Sequence, residues 1–555
     1  MFSSFFLISF IILLREKVDK YIKKSSKDAH VNFSQRKNDS TTSKARCINY
    51  MEGLNMKEIK HIYDDLFIFE MANSHQGSVE HGIDIIHAMS RIARKHNIKA
   101  AVKLQFRNLD NFIHPDYVNR TDVKHIPRFM STRLYFEQFS QLVDAIHEEG
   151  MIAMSTPFDE DGVDWCMDMG IDVIKVASCS AMDWPLLTKI AQTHKPAIIS
   201  TGGKTLSDID KIYNFFTHRK CEFAFLHCIA EYPAPQDRLQ LDFISRMQRR
   251  YPEVTIGYSG HEDPDDIIVP MLAVAKGARI MERHVGLPTE TITLNSYSMN
   301  PDQTDRWVKA VLDARNICEM KKEDTKYVSQ EEMDSLRSLM RGVYLKRDVK
   351  QGEQLFREDV FFAMPCGDRQ MPSGDFNEGM TVSRDYKAME PLLEKRVITD
   401  IGLVRSVVHD AKGMLYEAGI ALGDSFEVEL SHHYGMKHFR QFGAIIISII
   451  NREYCKKLLV ILPGQKHPVH MHKVKEETFQ LLYGDLEIDI EGTVRTLKPG
   501  DIQTVLREQK HSFTSVKGAI FEEISTTHVK NDSYYDDPVI RVLDPIERKT
   551  ILKKW

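Results

Sequence analysis

Two groups of residues in this 555-residue chain have the types and spacing to do chemistry. One is compact: His470-x-His472, then Glu477, framed by Gly464 and Gly484, with His511 further along. On a strand, residues 470 and 472 share a face, so both imidazoles enter the same interior. Three imidazoles and a carboxylate suit Mn²⁺, Fe²⁺, Ni²⁺ or Zn²⁺. Glu476 is the alternative carboxylate, and histidines on a wet, metal-free face are the plainer reading. The other group is scattered: Glu70, Lys103, Gln105, Thr156, Lys175, Ser178, Ser200, Thr201, His227, His261 and His284. Lysines among apolar neighbours call for an anion. With the hydroxyls of Thr156, Ser178, Ser200 and Thr201 and the backbone of Gly202-Gly203, they would form a cradle for phosphate and carboxylate.

Residues so far apart share a site only if regular elements carry them there. Eight short apolar runs, 66–72, 99–106, 151–158, 173–178, 197–201, 223–228, 255–260 and 279–285, alternate with stretches long enough for helices, such as 82–95 and 135–150. Strands buried on both faces read this way. The repeat predicts a (β/α)8 TIM barrel, in which chemistry sits at the C-terminal ends of the strands, where the scattered group falls. One polar residue there is an ordinary strand cap, but polar residues at the same end of eight successive strands indicate one active site. His227 stands equally as a core histidine and as a ligand.

The composition, 42% hydrophobic and 28% charged, is that of a soluble globular protein with more than one core. A net charge of −5 without a long basic stripe argues against a nucleic-acid binder. Eight cysteines without a C-x-x-C pair favour reduced thiols and a cytoplasmic location. Residues 1–14 are apolar but short, and 15–55 are polar without periodicity. Residues 1–58 are therefore expected to be a disordered or non-native extension, with Met51 or Met56 as the natural start. A single-pass anchor is the competing reading; stable membrane insertion is not expected.

The stretches Glu70 to Gly77, Val102 to Gln105, Ser155 to Asp159, Lys175 to Ser178, Ser200-Thr201-Gly202, Leu226-His227-Cys228 on to Glu231-Tyr232-Pro233, Gly257 to His261 and Glu282-Arg283-His284 occur in order. Together they resemble the sialic acid (N-acetylneuraminate) synthase family. The resemblance implies a transferase that condenses phosphoenolpyruvate with an N-acetylated hexosamine-type aldehyde to give a nonulosonic acid and phosphate. It implies that Lys103, Gln105, Thr156, Lys175, Ser178, Ser200 and Ser259 hold phosphoenolpyruvate, and that Glu70, Lys103, Lys175 and Tyr232 are catalytic, with Glu70 and Tyr232 on the acceptor sugar. His261 and His284 would hold a divalent metal, Mn²⁺ or Mg²⁺, that polarises the aldehyde.

The chain departs from that family in places. Cys179-Ser180 stands where a glycine and a proton-handling glutamate are usual, and serine cannot replace a carboxylate as general acid. Gly260 replaces an aspartate beside His261, removing a carboxylate that could orient the ligand. Ile292 to Asn295 replace a Gly-Pro-Asp-His element.

Downstream, Arg341 to Glu353 resemble a small antifreeze-like (SAF) domain, which in the family reaches across a homodimer to lend an arginine. Met364-Pro365-Cys366-Gly367 lacks that arginine; Arg369 is either its substitute or solvent-facing. The pattern from Gly464 to Gly484 resembles the first cupin motif, with Pro499-Gly500-Asp501 opening the second. The expected organisation is a barrel over 59–325, an SAF domain over 332–400, a linker over 401–428, an all-β cupin over 429–530 and a tail over 531–555. Two alternatives are a cupin sugar isomerase or epimerase coupled to the barrel, and a sugar-responsive scaffold that has lost synthase activity through Ser180, Gly260 and Asn295.

Overall fold

The computed structural model describes residues 62–318, 326–396, 398–529, 531–553 and 555. The expectations for residues 1–58 lie outside them. The chain divides into two compact units, one ending at Tyr327 and one beginning at Val328.

The first unit is the expected closed parallel barrel, β1 to β8 in order. Its strands are β1 Phe67–Glu70, β2 Ala100–Phe106, β3 Ile152–Pro157, β4 Val173–Val176, β5 Ala197–Ser200, β6 Phe223–Cys228, β7 Ile256–Gly260 and β8 Met281–His284. Most are a residue or two shorter than the apolar runs, because pairing stops where the chain bends into the loops. Eight helices alternate with them: α1 Val79–His96, α2 Phe136–Glu148, α3 Glu160–Asp168, α4 Trp184–Gln192, α5 Leu206–His218, α6 Asp242–Arg250, α7 Ile268–Ala275 and α8 Pro301–Cys318. In α1, Ser78 caps the first turn by accepting from the His81 backbone N–H, and Ile85, Met89 and Ile92 line the buried face.

Most of the strands are apolar on both faces because two cores need it. Phe67, Phe69, Val102, Leu104 and Phe225 belong to the larger cluster shared with the helices. Leu66, Ile68, Ala101, Met154, Ile198, Leu226 and Ile280 form a second cluster. These alternate along the strands with the first set, so they fill the barrel interior below the polar strand ends. Gly257 lets β7 approach β8: a Cβ there would lie 2.4 Å from the Ile280 carbonyl oxygen.

In the second unit, two small antiparallel pairs, Gly342–Leu345 with Val360–Ala363 and Gln354–Leu355 with Met380–Thr381, surround Val343, Leu345, Val360 and Leu392. A seven-stranded and a five-stranded antiparallel sheet follow. They share a core to which one sheet gives Leu459, Phe479 and Phe521 and the other Ile488, Leu497 and Phe513.

Two segments expected as a linker and a tail contain regular structure. Residues 401–428 are not a bare linker: Asp400–Glu417 is a helix capped by Thr399, and its Val407, Ala411 and Leu415 pack with the sheet residues Val428 and Ile447. Residues 531–555 are not a free tail, since Lys549–Leu552 pairs antiparallel with Glu427–Ser431 as the edge of the larger sheet. Apolar spacing is helical in the first segment, and the second offers the backbone partner that the edge strand needs.

Candidate active site and metal centre

Strand register builds the barrel site. Glu70 pairs with Lys103 on one side and with His284 on the other, Gln105 lies opposite Thr156, and Ser259 lies opposite Glu282. A polar network results. Arg107 donates to Gln105 (2.8 Å), Gln105 donates to Glu70 (3.2 Å), and Lys103 is ion-paired to Glu70. Lys103 also donates to Glu282 (2.9 Å), whose other oxygen accepts from Ser259 (2.7 Å). Lys175 lies 4.0 Å from Glu282 and donates to Ser200 (2.6 Å).

These groups are buried, so their charges are costly unless paired. Burial pulls Lys103 down to about 8, against the pull of Glu282. Burial works to raise Glu282, but Lys103 and Lys175 outweigh it and hold the carboxyl at about 2, so it is ionised. The barrel end thus holds two buried lysines whose charges rest on internal carboxylates.

Two further hydroxyls lie beside it. Ser178 Oγ accepts from the Gly202 backbone N–H (2.9 Å), and the buried Thr156 hydroxyl has no hydrogen-bond partner among the described residues. His261 and His284 face each other with ring centroids 5.4 Å apart. Burial pushes His261 down to about 4, and burial with the neighbouring His261 puts His284 well below its usual range. Both are neutral imidazoles, the form that ligates a metal. His261 Nδ1 lies 3.1 Å from the Ile229 carbonyl, which assigns the proton to Nδ1 and leaves the Nε2 lone pair free. Tyr232 is half-exposed and packs on His261 at 4.3 Å between centroids; Tyr297 covers His284 at 5.0 Å. His227 lies apart from the network: its Nε2 meets the Leu239 carbonyl at 2.7 Å, as a core histidine would.

In the second unit, ligand atoms of His470, His472, Glu477 and His511 all lie within 4.8 Å of one another, and all four residues are buried. Glu477 rather than Glu476 faces the imidazoles; Glu476 is only partly buried. Burial drives His470 well below its usual range, and His511 and His467 add to it. Burial favours neutral Glu477, but Lys475 overrides it and keeps the carboxyl well below its usual range. The Glu477 Oε2 and His511 Nε2 atoms are 3.2 Å apart, yet neither has a hydrogen-bond partner among the described residues. Two buried polar atoms left facing each other fit a cation between them. His472 Nδ1 is fixed by the Asp532 carbonyl at 2.7 Å, the kind of outer contact that orients a ligating imidazole.

Several residues escaped sequence reasoning. Glu282 lay inside a recognised stretch, but its role as counter-ion to both lysines depends on register. Lys475, ion-paired with Glu477 and 3.1 Å from Glu523, had no motif to signal it. Tyr297 lies just beyond the residues that depart from the family pattern, two positions after Asn295, whose side chain accepts from the Tyr297 backbone N–H. Ser180 is buried in a turn after β4, and Arg369 is solvent-facing, beside Asp368.

The closed eight-stranded barrel with lysines, hydroxyls and two imidazoles at one end has the architecture of a TIM barrel, with its polar groups at the end where that fold carries its chemistry. Residues 91–323 match the NeuB family. Over 308 residues the chain is 28% identical to the pseudaminic acid synthase of Campylobacter jejuni, covering 54% of this chain and 86% of that one. Over 251 residues it is 28% identical to the N-acetylneuraminate-9-phosphate synthase of Mus musculus, covering 44% and 68%. A crystal structure of the Chromobacterium violaceum protein assigned as spore coat polysaccharide biosynthesis protein E aligns with a TM-score of 0.57 and 44% identity, over 59% of this chain and 98% of that chain. The chain belongs to the sialic acid synthase-like NeuB family. Among the described residues no helix is long and apolar enough to cross a membrane.

Proposed function

We propose that the barrel condenses phosphoenolpyruvate with an N-acetylated hexosamine-type aldehyde to form a nonulosonic acid and inorganic phosphate. The observation that carries this reading is the paired cradle: Lys103 and Lys175 joined through Glu282, beside Ser200 and Ser259, next to two neutral imidazoles. An incoming phosphate or carboxylate takes over lysine contacts that Glu70 and Glu282 now occupy, so the donor binds without the cost of burying bare cations. Thr156, Ser178 and Gln105 complete the donor's contacts. Glu70 and Tyr232 face the acceptor.

In the reaction, carbon 3 of phosphoenolpyruvate bonds to the aldehyde carbon, water adds at carbon 2, and the bond from carbon 2 to the phosphate oxygen breaks. His261 and His284 would hold Mn²⁺ or Mg²⁺, whose Lewis acidity would stabilise the alkoxide that the aldehyde oxygen becomes. With serine at 180, Glu70 is the carboxylate left on the acceptor side. The test is phosphate release from phosphoenolpyruvate across a panel of N-acetylated hexosamines with Mn²⁺. No release with any of them, from folded and metal-loaded protein, would sink the reading in favour of a binding scaffold.

A second reading attaches to the C-terminal sheets. The His470, His472, Glu477 and His511 set supports a cupin with its own divalent metal, acting on a sugar as isomerase or epimerase. Substituting His470 and His472 together should then remove sugar interconversion while condensation of a supplied acceptor persists.

A further inference from the structure

The barrel histidines lack a carboxylate at the preceding position, since residue 260 is glycine. A Cβ built on Gly260 would meet Glu262 Oε2 at 2.5 Å, Glu262 Oε1 at 2.8 Å and Tyr258 Cε1 at 2.8 Å. The space in which a side chain at 260 would begin is filled by the carboxylate of Glu262.

That carboxylate is tightly held. Glu262 and Arg283 are each 1% exposed, and Arg283 Nη1 donates to Glu262 Oε1 at 2.5 Å. Arg283 Nη2 donates to the Glu262 backbone carbonyl at 2.9 Å, and the Tyr258 hydroxyl donates to Glu262 Oε2 at 2.9 Å. Gly260 and Arg283 are register partners across β7 and β8. Side chains alternate along a strand, so Glu282 and His284 share one side of β8 and Arg283 lies on the other. The ion pair therefore stands behind the barrel wall, out of the cradle. It joins the residue that follows His261 to the residue that precedes His284.

We propose that Glu262 and Arg283 are positioning residues that clamp the ends of β7 and β8 and so fix the separation and aim of the two imidazoles, with Gly260 left bare to admit the carboxylate. The proposal rests on the reading of His261 and His284 as metal ligands. Two imidazoles offer few protein contacts to a cation, so its affinity depends strongly on how they are pre-aimed. The clamp supplies that aim from the main chain on either side, while the Ile229 carbonyl sets only the tautomer of His261.

The test uses the full chain carrying His470→Ala and His472→Ala, so that Mn²⁺ binding reports on the barrel. His261→Ala in this background is the control. Glu262→Gln alone leaves the buried Arg283 cation uncompensated and will lower the melting temperature. Glu262→Gln with Arg283→Met removes both charges at similar volume and recovers much of that loss. The proposal expects Mn²⁺ affinity, by calorimetric titration, to fall about ten- to a hundredfold in the double substitution even where stability has returned. A folded double variant whose Mn²⁺ affinity stays within about twofold of the parent overturns it, because a merely structural pair would move stability alone. Mn²⁺ binding that is unaffected by His261→Ala sinks the ligand reading itself, and the clamp with it.

Discussion

The two histidine sites differ in what their carboxylates and lysines leave free. At the barrel mouth two imidazoles stand on neighbouring strands, and the nearby carboxylates Glu70 and Glu282 are engaged by lysines. In the C-terminal unit the carboxylate itself joins three imidazoles, while Lys475 and Glu523 balance it from behind. The barrel site is a chain of ion pairs, with each lysine resting on an internal carboxylate. The C-terminal site is nearly closed, with four protein groups around one point. Similar residue types thus yield a lysine-carboxylate network beside two imidazoles in one unit and a four-residue cluster in the other.

The strongest way to break this contrast is to remove imidazoles from each site in turn. His261→Ala should cost condensation at least about a thousandfold in kcat/KM, roughly 4 kcal/mol, since two ligands cannot spare one. His470→Ala with His472→Ala should leave condensation within about twofold, because none of the barrel residues changes. Comparable losses from both, in phosphate-release assays, would mean that the C-terminal cluster serves the condensation.

Two glycines test the walls that hold the sites. Gly484→Ala should destabilise the C-terminal unit by about 4 kcal/mol, because its φ is +83° and a Cβ would press directly on the Gly518 carbonyl oxygen. Gly257→Ala should cost the barrel about 3 kcal/mol by forcing β7 from β8. Differential scanning calorimetry reads both; an unshifted melting temperature would contradict the close approach at that glycine.

Lysines sharpen the comparison further, with opposite signs. Lys103→Met should weaken phosphoenolpyruvate binding by about 1.5–3 kcal/mol, the scale of a charge-assisted hydrogen bond, and leave acceptor KM nearly unchanged. Unchanged donor affinity would make Lys103 a structural ion pair. Lys475→Met should instead tighten Mn²⁺ or Zn²⁺ binding at the C-terminal cluster about tenfold, because it removes a cation from the ligand carboxylate. The same change should lower the stability of the metal-free protein. Weaker metal binding by titration would show that Lys475 holds Glu477 in its ligating position.

The barrel, and the end of it at which polar side chains gather, are legible in the amino-acid sequence alone. Short apolar runs alternating with helical stretches are a local signal, and strand ends follow from where each run stops. The spacing that brings His470 and His472 to one face is legible there as well, because strand alternation is local too. The helix Asp400–Glu417 was legible in principle, since Val407, Ala411 and Leu415 have helical spacing, but a run between expected domains reads as a connection. The charge partners, by contrast, are set by the packing of distant strands. Glu282 meets Lys103 across a separation of 179 residues, and Lys549–Leu552 finds Glu427–Ser431 more than a hundred residues away. The same holds for Glu262, which fills the space beside Gly260 because Arg283 is opposite it on the next strand. Residue type announces that a buried charge needs a partner; register between distant strands chooses which one it gets, and no periodicity within a single segment encodes that choice.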